Sequence, residues 1–77
     1  MSNETYRTWG ENIAVGRKLV GFETQLSLAL ALGVRQSTVA RWESGEMAPR
    51  FSRMVAIAEL LHQDVRQLFP MTRSVAS

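Results

Sequence analysis

Nine residues near the middle of the chain, Gln36 to Ser44 (QSTVARWES), carry side chains able to read the edge of a nucleobase. The amide of Gln36 can donate to N7 of adenine and accept from its N6, and the guanidinium of Arg41 can donate twice, to O6 and N7 of guanine. Ser37 can meet several bases, and the methyl of Ala40 can meet that of thymine. Wound as an α-helix at about 100° per residue from Gln36, the stretch places Val39, Trp42 and Glu43 on one side, with Thr38 at its edge. Gln36, Ser37, Ala40, Arg41 and Ser44 fall on the other. Two large apolar groups need an interior. The opposite face is small and polar and ends in an arginine, which suits a helix pressed into the major groove.

Neighbouring elements must hold that helix. Thr24 reads as the N-cap of a preceding helix whose Leu28, Ala29 and Leu32 face a core, and Gly33 supplies a left-handed residue for the turn. The LALAL alternation could also mark a strand, but its leucine and alanine content, without β-branching, favours helix. Leu26 and Leu30 then point outward, either as scattered surface leucines covered by the preceding loop or as a ridge for a partner protein. After Gly45, a loop through Pro49 leads into a fourth helix over Arg50–Leu61. Met54, Ile57, Ala58 and Leu61 repeat there at core spacing, with Phe51 starting the stripe. Asp64 and Gln67 form a capping-box pattern that opens a short fifth helix with Val65, Leu68 and Phe69, which Pro70 stops. Upstream, Trp9, Ile13 and Val20 share one face of a first helix over Thr8–Val20, ended by Gly21. Gly16 inside it implies close approach of a neighbour. Residues 1–7 read as a polar, flexible arm, 8–69 as the domain and 70–77 as an unpatterned tail.

A chain of 77 residues has room for one domain, and its core is thin enough that dimerisation would help it. Hydrophobic content of 45% is too high for a disordered chain, and the absence of cysteine fits a reducing cytoplasm. No leader pattern appears, and the longest apolar run, Leu28 to Leu32, is too short to span a bilayer. A net charge of +2 would not alone point to nucleic acid. Position matters more. Arg35, Arg41, Arg50 and Arg53 cluster between the turn and the fourth helix, opposed only by Glu43 and Glu46. One histidine, His62, with no glycine-rich phosphate loop and no paired carboxylates, argues against an enzyme, and the chain offers too few ligands for zinc. No cofactor is expected.

The residues Thr24, Gln25, Leu28, Ala29, Leu32, Gly33, Val34, Val39, Trp42, Glu43, Gly45 and Pro49 stand at the offsets of a known signature. Gly10, Ile13 and Arg17 continue it upstream, and Ile57, Ala58, Leu61, Leu68 and Phe69 downstream. The chain thereby resembles the Cro and phage-repressor (lambda-repressor-like) helix-turn-helix family over roughly residues 9 to 69. The resemblance implies an all-α fold of five helices, with the second and third forming the helix-turn-helix. It also implies an ion pair between Arg17 and Glu43, and a Gln25 that touches phosphate and braces Gln36. Two departures stand out. The segment from Ile13 to Gln25 is one residue longer than usual, which lengthens the loop at Phe22 and Glu23. Arg35 replaces the small hydroxyl residue frequent at its position.

The expected function is that of a sequence-specific DNA-binding transcriptional regulator, acting as a repressor on an inverted repeat. Gln36, Ser37, Ala40 and Arg41 are the expected base readers, and Gln25, Arg35, Thr38, Ser44, Arg50 and Arg53 the expected phosphate contacts. In the family the region between the fourth and fifth helices forms the dimer contact, which implicates Val65 and Arg66, whereas Phe69 reads better as core. The other expected class is a protein-binding regulator, such as an antitoxin that also binds its own operator, with Leu26 and Leu30 as its partner surface.

Overall fold

A computed structural model describes residues 3–71. It contains five helices: α1 (Glu4–Leu19), α2 (Gln25–Leu32), α3 (Gln36–Ser44), α4 (Phe51–Leu61) and α5 (Val65–Leu68). Among the described residues there is no strand. The all-α, five-helix expectation therefore holds. The tail beyond Met71 lies outside the described residues.

α1 begins at Glu4, four residues before the expected Thr8, so most of the expected arm is helical. Asn3 is the cause. Its side chain accepts from the Tyr6 backbone N–H at 3.1 Å, and Glu4 complements the helix dipole. The extra turn lays Tyr6 against Trp9, with ring centroids 5.6 Å apart. At the other end Val20 is the C-cap and is exposed rather than part of the core face, and Gly21 follows at φ +102°. Gly16 and Arg17 complete that buried face instead.

α2 is capped as expected by Thr24, but the reciprocal partner is Ser27. Ser27 N–H donates to Thr24 Oγ1 at 3.0 Å, and Thr24 N–H to Ser27 Oγ at 3.3 Å. Gly33 closes α2 at φ +74°, a value that side chains rarely adopt, and re-aims the chain into α3. α4 starts at Phe51, with Arg50 at the N-cap, and Phe51 is exposed rather than part of the core stripe. At the first helical position it precedes the face formed by Ile57, Ala58 and Leu61. Asp64 caps α5 through the Arg66 N–H at 2.7 Å, and the expected return bond from Gln67 is not formed. The four-residue helix carries Gln67 as an exposed residue, and only its backbone N–H turns back, to Asp64 O.

α1 and α2 both pack on α3, and α4 and α5 close the remaining side. Ile13, Leu28, Val39, Ile57, Leu61 and Leu68 are fully enclosed, with Trp9, Trp42 and Phe69 around them. Trp9 Nε1 donates to Pro70 O at 2.7 Å and Asn12 Nδ2 to Leu68 O at 2.9 Å, which fastens the end of α5 onto α1. Phe69 stands edge-on to Trp9 and is core, as expected. The crossing of α1 over α3 depends on Gly10, where a Cβ would sit 2.5 Å from the Glu43 carbonyl oxygen. Gly10→Ala is therefore expected to push α1 off α3 and cost on the order of 1–3 kcal/mol, read as a drop of several degrees in thermal midpoint.

Candidate nucleic-acid interface

α3 has two faces, and its packing makes the division. Val39 is fully buried and Trp42 is 3% exposed, while Gln36, Ser37, Arg41 and Ser44 are exposed. Ala40 and Thr38 are half-buried at the edges. Gly45 ends the helix at φ +83°.

A polar chain runs from the interior to the first residue of that helix. Arg17 Nε donates to Glu43 Oε2 at 2.6 Å and Arg17 Nη2 to Oε1 at 3.3 Å, with both side chains under a tenth exposed. Arg17 Nη1 also donates to the carbonyls of Phe22 at 3.0 Å and Glu23 at 2.9 Å, so the loop between α1 and α2 is tied to the same cation. Gln25 Nε2 donates to Glu43 Oε1 at 3.0 Å, and Gln36 Nε2 approaches Gln25 Oε1 at 3.4 Å. The ion pair implied by the resemblance is present, and Gln25 and Gln36 are brought together. The link from Gln25 to Glu43 was not legible in the sequence.

The six expected phosphate residues are placed unequally. Thr38, Arg50 and Arg53 line one open cleft beside Trp42 and Met47. Arg50 is exposed, but Arg53 Nη1 donates to Leu32 O at 3.0 Å and so holds the last turn of α2. Arg35 occupies the N-cap of α3 without a side-chain cap bond, leaving its guanidinium in solvent. Gln25 sits at the start of α2, where free backbone N–H groups and the dipole favour an anion. Ser44 lies apart from them, about 12 Å along the helix axis from Gln36. Its hydroxyl donates to Arg41 O at 3.1 Å and accepts from Glu46 N–H at 3.3 Å, a local closure of the turn. Glu46 Oε2 also stands 3.9 Å from Arg41 Nε across that turn, a weak exposed pairing.

Val65 and Arg66 are not among the residues of the cleft beside Trp42 and Met47. They line an apolar groove with Phe51, Met54 and Met71, over Trp9 and Phe69. Leu26 and Leu30 are 50% and 71% exposed, so the loop after α1 does not cover them.

A helix-turn-helix family model matches residues 24–68, more than half of the chain and all of α2 to α5. The chain belongs to the lambda-repressor-like helix-turn-helix family. Comparisons with curated proteins and with solved structures return no match. In this helix-turn-helix protein α2 and α3 are the motif of a DNA-binding regulator, and α1, outside the matched stretch, is the buttress behind it. No helix among the described residues is long and apolar enough to cross a membrane, and none of their His, Asp and Glu side chains group into a metal site.

Arg17→Ala leaves the Glu43 carboxylate buried without its counter-charge and is expected to cost about 3–5 kcal/mol in denaturant unfolding. The double change Arg17→Met/Glu43→Leu should recover part of that loss, because no charge then remains in the interior.

Proposed function

We propose that the protein is a sequence-specific regulator of transcription, a small repressor that binds an inverted-repeat operator as a homodimer in the cytoplasm. The observation that carries the reading is the split of α3: Val39 and Trp42 enclosed, with Gln36, Ser37 and Arg41 exposed on the opposite face. The N-terminal end of α3 enters the major groove, where Gln36 reads adenine, Arg41 guanine, and Ser37 and Ala40 the bases between. Gln25, Arg35, Thr38 and Arg50 hold the phosphates, which gives affinity and register but little sequence information. Arg53 joins them with the donors it does not spend on Leu32 O, and Ser44 is the weakest member because its hydroxyl is engaged locally. One domain reads few bases, so two copies on half-sites about 34 Å apart supply the missing specificity. Val65 and Arg66, beside the exposed Phe51, are the proposed contact between them.

A second reading, an antitoxin-like regulator that also binds a partner protein, is favoured by the exposure of Leu26 and Leu30. Under it, Leu26→Ser/Leu30→Ser abolishes capture of the partner and leaves operator binding intact. Under the first reading, affinity for duplex DNA falls about a thousandfold between 50 and 200 mM salt if the dimer neutralises six phosphates. Arg50→Ala should weaken all sequences alike and flatten that salt slope, whereas Arg41→Ala should relax preference at one base pair per half-site. Equal loss on every sequence for both variants would sink the assignment of Arg41.

A further inference from the structure

We propose that Glu43, buried behind the recognition face, decides which base Gln36 accepts, by fixing the direction of two amide groups in series. The inference rests on Gln36 being a base contact.

A carboxylate can only accept hydrogen bonds. The Gln25 atom that meets Glu43 Oε1 at 3.0 Å must therefore be its nitrogen. That turns the Gln25 carbonyl oxygen toward the start of α3, where the Gln36 side chain approaches it at 3.4 Å. An amide oxygen likewise only accepts, so Gln36 too must present nitrogen. What remains free on Gln36 is one N–H and the carbonyl oxygen. This pair matches N7 and N6 of adenine, whereas guanine shows two acceptors there and would call for both N–H groups. The source of the orientation cannot turn. Glu43 is gripped through both oxygens by Arg17, which is itself tied to the carbonyls of Phe22 and Glu23. Both side chains are under a tenth exposed, which limits the access of water to these bonds. Glu43 and Arg17 thus act as positioning residues. They shape base choice through Gln25 without reaching the DNA.

The test uses the full chain and a duplex recovered with it from a random pool. Competition is then measured against duplexes carrying each base pair at every position. Gln36→Ala identifies the position Gln36 reads, which is expected to hold adenine; guanine there overturns the proposal. Glu43→Gln can offer either a donor or an acceptor to Gln25. It is expected to lower the adenine-over-guanine ratio at that position about tenfold, and to leave the other positions unchanged. In the Gln36→Ala background it should not alter that ratio at all. Because Glu43→Gln also weakens the ion pair, Gln25→Met provides the second arm. It keeps Arg17 and Glu43 together, cuts the relay, and should give the same loss of selectivity on top of a uniform loss of affinity. If folded Glu43→Gln and Gln25→Met both retain the wild-type ratio where Gln36→Ala removes it, the relay is wrong and the Gln36 reading stands. A ratio that falls equally without the Gln36 side chain would mean a general structural effect and would also overturn it. If Gln36→Ala changes preference nowhere, the base-reading assignment fails first and the relay with it.

Discussion

The contact between Arg17 and Glu43 is the constraint on which the rest of the molecule depends. It is the one ion pair among the described residues with both side chains nearly enclosed; the other two are exposed. Taking two charges out of water costs several kcal/mol per ion, and attraction between them offsets this only when the geometry is good and the remaining donors and acceptors are filled. Here the geometry meets that demand. The guanidinium makes four hydrogen bonds, to both carboxylate oxygens and two loop carbonyls, and Glu43 accepts a further bond from Gln25. No buried side-chain polar atom among the described residues lacks a partner. The same atoms tie α1, the loop before α2, the start of α2 and the last turn of α3 into one unit.

That unit explains why a helix-turn-helix needs α1. α2 has eight residues and α3 nine, lengths at which isolated helices are marginal in water. Burial of Val39 and Trp42 supplies what propensity does not, and α1 provides much of the surface that buries them. Gly10 lets the α1 backbone come within contact of the carbonyls of Trp42 and Glu43. Trp9 and Asn12, on neighbouring turns of α1, reach the far end of the chain at Pro70 and Leu68. A single helix therefore braces the motif on one side and collects the C-terminal elements on the other.

The surface is divided in kind. Around the exposed face of α3 lie arginines, amides and hydroxyls, several of them already oriented by internal bonds before any partner arrives. Such preorganisation reduces the side-chain entropy lost on binding. The face over α4 and α5 is apolar, with Phe51 and Met71 open to solvent. Polar groups held by other polar groups suit a hydrated, charged ligand, and an open apolar groove suits another protein surface.

How much of this was legible depended on the range of the interaction. The turn at Gly33, the cap at Thr24, the two faces of α3 and the helical character of α4 and α5 follow from residues within a few positions of one another, and the sequence alone was sufficient for them. The family signature added the pairing of Arg17 with Glu43. The start of α1 at Glu4 escaped because residues 1–7 carry no hydrophobic periodicity to mark a helix. Its local cap at Asn3 is visible only in the structure, where Tyr6 also finds Trp9. Phe51 was misplaced because periodicity gives a face but not the depth at which a helix begins to be covered. The bonds from Gln25 to Glu43 and from Arg53 to Leu32 O span 18 and 21 residues, and the closeness of Glu46 to Arg41 depends on the reversal of the chain at Gly45. Local chemistry determined which elements form and which way α3 faces. Only the tertiary structure decided which polar groups are already spoken for, since partners distant in sequence become neighbours only after the core has closed.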